Sequence, residues 1–183
     1  MSLKLVYTGS DGNLYVVHAV PKEIVNETLK FYSDDGSERP MTDQEYYNHV
    51  MEKSIPAGAV KVREITETDL PTDRTYRSAW CDVTESKSID LDMGKVKNLL
   101  LEKVRVQRNE VLSGSDALIV QGLESGKDLE SVKAERKVLR DITDKIKKIK
   151  VTKDHLNDPV KLKELEDASD AALDSIDKIR GQW

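Results

Sequence analysis

Cysteine is almost missing from this chain: Cys81 stands alone among 183 residues. That excludes an internal disulfide and any cysteine-built zinc site. Aromatic side chains make up only 5% of the sequence, with Phe31 the single phenylalanine, so neither a large aromatic core nor a sugar-stacking platform is expected. No apolar run approaches the ~20 residues that cross a bilayer. The opening "MSLKLVYTGSDG" meets charged and turn residues at once, unlike a secretory leader. These absences predict a soluble product, made inside the cell, with no membrane partner.

Metal and catalytic signatures are equally scarce. His18, His49 and His155 fall one each in a predicted strand, helix and loop, at none of the spacings of a helical metal pair. "SDDGSE", residues 33–38, clusters carboxylates but lacks the alternating ligands and closing glutamate of a calcium loop. There is no G-x-S-x-G and no glycine-rich phosphate loop. The expectation is therefore no metal, no cofactor and no enzymatic activity. The net charge of −5 argues against a nucleic-acid partner. Lys145, Lys147, Lys148, Lys150 and Lys153 form the best basic cluster, but no aromatics interleave with them. They read as a solvated or salt-bridged helix face.

What is present is an architecture: a small α+β unit that contains a hairpin, followed by an array of long amphipathic helices. Residues 1–66 read as the α+β domain. "KLVY" and "LYVVHAV" flank the turn "TGSDGN", with Leu3 and Leu5 alternating on one strand and Val16, His18 and Val20 on the other. Pro21 opens a short helix carrying Ile24, Leu29 and Phe31, and "SDDGSERP" follows as a loop. Thr42 and Glu45 stand at capping-box spacing before a second helix with Tyr46 and Val50 one turn apart. "AVKVREI" alternates as a third strand.

Residues 67–89 read as a connector and 90–183 as a helical domain. Met93, Val96, Leu100 and Val104 recur at helical spacing until "SGSDALIVQGLESG", where a break is expected, with room for a short helix at 116–123. A second long helix runs from near Lys127 through Val132, Leu139, Ile142, Ile146 and Ile149. The third starts at Pro159, a favoured first helical position. It repeats Leu162, Leu165, Ser169, Ala172, Ile176 and Ile179 in a coiled-coil or helix-hairpin seam. Residues 127–153 hold ten basic and five acidic side chains, and residues 154–183 hold four and eight. That contrast predicts an antiparallel pair of the second and third helices, within one chain or between subunits.

The connector contains "LPTDRTYRSAW", the densest stretch of the chain. Its spacing predicts a two-turn helix capped at Thr72 or Asp73, with Tyr76 and Trp80 on one face and Arg74 and Arg77 pointing outward. Trp, Tyr and Arg dominate the energetics of protein interfaces. The stretch is thus either a clamp between the two halves or a partner-binding surface. Trp183 is expected to dock on a neighbouring subunit or on the preceding helix. The candidate partner-binding residues are Arg74, Tyr76, Arg77, Trp80 and Trp183.

"DLPTDRTYRSAW", with "IDLDMGKVKNLLLEKVRVQRNEVL" after it and "SIPAGAVKVREI" before it, resembles small proteins of tailed bacteriophages associated with tail fibres. Further along, Arg108, Asn109, Leu112 and Asp116, and then Leu139, Arg140, Asp141 and Ile142, are similar to the two ends of the phage tail assembly chaperone family. Ala117 stands where that family usually has tryptophan. The resemblance covers about residues 54–145. It implies a tail-associated structural protein of the virion, made in the bacterial cytoplasm, which forms homo-oligomers and contacts other tail or tail-fibre proteins. The alternative it implies is a non-virion assembly chaperone for those subunits.

Overall fold

In a computed structural model, residues 3–83, 87–126, 128–152 and 155–182 are described. They form an α+β protein in two compact units, Met1–Asp90 and Leu91–Trp183.

The first unit is organised around β1 (Lys4–Thr8), which pairs antiparallel with β2 (Leu14–His18). The turn between them closes through the Gly12 N–H on the Gly9 carbonyl, 3.0 Å, with Gly12 at φ 75°. Register sets Leu5 opposite Val17, so Val17 of β2 and Ala19 just beyond it face the core, not the Val16, His18 and Val20 set. Helix α1 (Lys22–Thr28) stops before Phe31. Phe31 belongs instead to β3 (Phe31–Tyr32), which forms a minimal hairpin with β4 (Glu38–Arg39). The predicted loop is therefore a folded turn, tightened by Asp35, which accepts from the backbone N–H and the hydroxyl of Ser37.

Helix α2 (Asp43–Ser54) begins where its capping box predicts. The Thr42 hydroxyl accepts from the Glu45 backbone, and the Glu45 carboxylate reaches back to the Thr42 N–H. Strand β5 (Val60–Glu64) pairs with the free side of β1, giving the order β2-β1-β5. A register shift in this pairing accompanies Lys61 at φ 54°; such a bulge discourages strand addition at an open edge. Leu5, Ala19, Val25, Met41, Tyr46 and Val50 form the core on one face of the sheet. The Tyr46 hydroxyl is satisfied by the Val20 carbonyl, 2.6 Å. Val6, on the opposite face, is fully buried too. After β5 the chain adds β6 (Trp80–Asp82) and β7 (Ile89–Leu91), paired with each other.

In the second unit α3 is one helix from Met93 to Ser125. The break expected at Ser113–Gly114–Ser115 does not occur. Ser115 is fully buried, and its hydroxyl bonds back to the Leu112 carbonyl, 2.6 Å. Helix α3 ends instead at Gly126, in the left-handed region at φ 64°, the usual glycine stop. The second long helix is divided into α4 (Glu130–Asp141) and α5 (Asp144–Lys148). Ile142 and Thr143, two β-branched residues in succession, occupy the joint; such side chains fit a helical turn poorly. The buried side of α4 nevertheless continues through Leu139, Thr143, Ile146 and Ile149.

Hydrogen bonds define the directions of these helices. Lys97 near the start of α3 donates to the carbonyls of Lys147 and Ile149 at the end of α5, 2.8 and 2.6 Å. Arg136 in α4 meets Leu112 and Asp116 in the middle of α3, so α4–α5 runs antiparallel to α3. Helix α6 (Pro159–Arg180) starts beside the start of α3: the Asn157 N–H donates to the Leu91 carbonyl, 3.0 Å, and the Leu91 N–H to the Asn157 side chain, 2.6 Å. At its far end Arg180 lies 3.7 Å from Glu110 of α3. Helix α6 therefore runs parallel to α3 and packs chiefly against it, with α5 also touching it. The antiparallel course expected of α6 and the basic helix is found, but the main partner of α6 is α3 and not that helix. Its buried residues, Leu165, Ser169, Ala172, Ile176 and Ile179, are those of the predicted seam. The small ones allow a close helix approach.

Two tests follow from these contacts. A methyl group on Gly122 would overlap Cδ2 of the buried Leu129, so Gly122→Ala is expected to lower stability by about 1–2 kcal/mol. On a Leu129→Ala background the same change should stabilise by ~1 kcal/mol through helix propensity, measured by urea unfolding of all four variants. In the first unit, Arg39 donates twice to Glu45, at 2.8 and 2.7 Å. That contact, and then the Thr42 bonds, hold the Glu45 carboxyl at about 2 against an ordinary 4.5. The folded-state value is depressed, so this stabilisation is full above about pH 4.5 and is lost as the pH falls toward 2. Glu45→Gln should therefore lower the unfolding midpoint at neutral pH and match the parent near pH 2.

Candidate functional site: the surface around Trp80

The stretch from Leu70 to Trp80 does not form the predicted two-turn helix. Leu70 follows a short 3-10 turn at Glu67–Asp69, where Thr66 and Asp69 cap each other. Asp73 accepts from the Thr75 N–H, 2.8 Å; the Thr75 hydroxyl and this N–H hold the Asp73 carboxyl below the ordinary carboxylate range. A second 3-10 turn covers only Arg77–Ala79, and Trp80 then begins β6. Consecutive short local bonds take the place of a helix here. Tyr76 precedes this turn and Trp80 stands in extended backbone, so the two do not share a helix face.

The arginines are exposed, as expected. Arg77 also lies over the Trp80 ring, 5.8 Å from its centre, in a cation–π contact. Arg74 is satisfied within the chain by Glu67, 2.6 Å. Glu67 also takes Lys4 of β1. The Lys4 ammonium, with Arg74 adding to it, holds the Glu67 carboxyl below its ordinary value. Trp80 is 3% exposed and Ala79 fully buried, whereas Tyr76 is half-buried and Arg74 and Arg77 remain at the surface. What this segment exposes is thus the two guanidinium groups, with the indole as the floor beneath one of them. Trp183 lies outside the described residues.

Two features were invisible in the sequence. Arg63 of β5 donates to Asp82 of β6, 2.8 Å, and to the Lys87 carbonyl, 2.8 Å. The Asp82 side chain is only 5% exposed, so this pair fastens the segment after β5 to the sheet. No local pattern could reveal partners 19 residues apart. The second feature is a cleft of 360 Å³ lined by Asn13, Leu14, Tyr15, Val16, Arg77 and Ser78. Its wall includes Tyr15, which stacks on Tyr7 with ring centres 5.2 Å apart and donates its hydroxyl to Asp11, 2.7 Å.

Among the described residues no group of three or more His, Cys, Asp or Glu could hold a metal ion, and no helix is long and apolar enough to cross a membrane. No family model, curated protein or solved structure matches the chain. The exposed side of this segment is polar and ionic, over a buried tryptophan. Trp80→Ala is expected to cost about 3–5 kcal/mol of stability, whereas Arg77→Ala should cost no more than ~1 kcal/mol. Urea unfolding of both variants checks this, and equal losses would contradict the placement of the two side chains.

Proposed function

We propose that this chain is a tail-associated structural protein of a tailed bacteriophage. In this reading it attaches or bridges tail and tail-fibre components through protein–protein contacts, is made in the host cytoplasm and stays in the virion. The observation that carries the reading is the resemblance of residues 54–145, above all "LPTDRTYRSAW" and the Arg108 to Asp116 segment. The placement of those residues supports it. Arg74 and Arg77 are at the surface, available to carboxylates of a partner as well as to their present neighbours. In the helical unit, Leu112 and Asp116 are where Arg136 fastens α4 to α3, which makes the motif part of a rigid helical scaffold.

Mass spectrometry of purified particles beside the crude lysate tests the role. The expected result is this chain at fixed stoichiometry in intact particles. Presence in the lysate with absence from particles would replace the structural role with that of an assembly chaperone. On the first outcome, Arg74→Glu with Arg77→Glu should leave the protein folded but reduce its incorporation at least about tenfold, since reversing interfacial charges typically acts on association.

A further inference from the structure

The outer side of α3 carries apolar residues that its own bundle does not use. Leu99, Val106 and Val120 are 40%, 50% and 56% exposed, and with Ser113 they recur every seven residues. At 3.6 residues per turn they fall on the side of the helix opposite the buried Leu100, Val104, Val111 and Ser115. Such a row is one of the two apolar rows of a helix–helix seam; beside it stand the polar Glu102, Asn109 and Asp116, so the apolar line is narrow and its flanks are ionic.

Charge identifies the helix that fits. Between Met93 and Arg108, α3 carries Lys95, Lys97, Lys103, Arg105 and Arg108 against Glu102 alone. Between Asn109 and Ser125 it carries Glu110, Asp116 and Glu124 and no basic residue. One half is basic, the other acidic. A parallel neighbour of the same sequence would set like charges side by side, whereas an antiparallel one sets the halves against each other.

We propose that α3 pairs antiparallel with the α3 of a second copy of this chain, about a two-fold axis between Asn109 and Glu110. That axis places Leu99 against Val120 of the other copy and Val106 against Ser113. It also brings Lys103 to Asp116 and Lys95 to Glu124, and the two Glu110 side chains meet beside the axis as one like-charge pair. Sliding the pair by one heptad in either direction sets Glu102 against Glu110, or Glu110 against Asp116, twice each by symmetry. The charges thus favour the first of the three registers. The contact is isologous, as closed dimers require, and it stands independently of the tail role proposed above.

Sedimentation equilibrium of the full chain at about 100 µM is expected to show a dimer. Val106→Glu should raise the dissociation constant at least about a hundredfold and Lys103→Glu about tenfold, each with an unchanged circular dichroism spectrum because both positions are exposed. In a Cys81→Ser background, Glu110→Cys should cross-link to itself across the axis, whereas Val120→Cys should not. A monomer at that concentration, a dimer indifferent to Val106→Glu, or self-cross-linking through position 120 in place of 110 would each overturn the proposal.

Discussion

In the helical unit, the middle of α3 is fastened to α4 by the guanidinium of Arg136. It reaches across from α4 to the Leu112 carbonyl, the Ser115 hydroxyl and the Asp116 carboxylate, and its side chain is only 15% exposed. Ser113, Gly114 and Ser115 together weaken the helix by roughly 2 kcal/mol relative to alanine. A charged donor shared among three acceptors contributes on the order of 1.5–3 kcal/mol. The tertiary contact is therefore large enough to offset the local preference, and α3 continues to Gly126. Of the small residues that made a break plausible, Ser115 is buried and meets Arg136, whereas Ser113 and Gly114 are exposed. Gly122 is the glycine that leaves room for a neighbour, Leu129.

The first unit is held by a comparable but more distributed device. The segment after β5 has little regular structure, and it is tied down by ions rather than by a continuous ladder. Lys4 and Arg74 converge on Glu67, and Arg63 holds Asp82 and the Lys87 carbonyl. The Glu67 cluster is exposed enough to be screened by solvent, so its contribution is small. The Arg63–Asp82 pair, with one carboxylate nearly buried, contributes more to position, because losing either partner leaves the other without compensation. These ties put Trp80 in place and leave Arg77 above it.

What could be read in advance was whatever repeats locally. The Thr42–Glu45 box, the start of α6 at Pro159, its 3-4 seam and the hairpin of β1 and β2 all depend on neighbours within a few residues. Three features were not legible for the same reason in reverse. The continuity of α3 depends on Arg136, more than twenty residues from Leu112. The choice of α6 for α3 depends on relative burial among three amphipathic helices, which net charge does not report. The segment around Trp80 has helical spacing but forms only a 3-10 turn, because Asp73 takes up the Thr75 N–H and the chain moves on into β6. Of the candidate site, the residue types and the exposure of both arginines were legible; the indole beneath Arg77 was not, since which ring an arginine lies over is decided by the backbone.

The parallel course of α3 and α6 has an electrostatic consequence. Both begin at one end of the bundle, so their backbone dipoles point the same way and bring two partial positive poles together, each worth roughly half an elementary charge. Left bare, the poles would repel. Each is met by its own carboxylate: Asp92 accepts from Gly94 and Lys95, and Asp158 from Val160 and Lys161. The negative pole of α5 arrives at the same end and is met by the Lys97 ammonium. Three helix poles and three opposite side-chain charges thus share one small volume, and altering either aspartate there would be felt by the neighbouring helix as well as by its own.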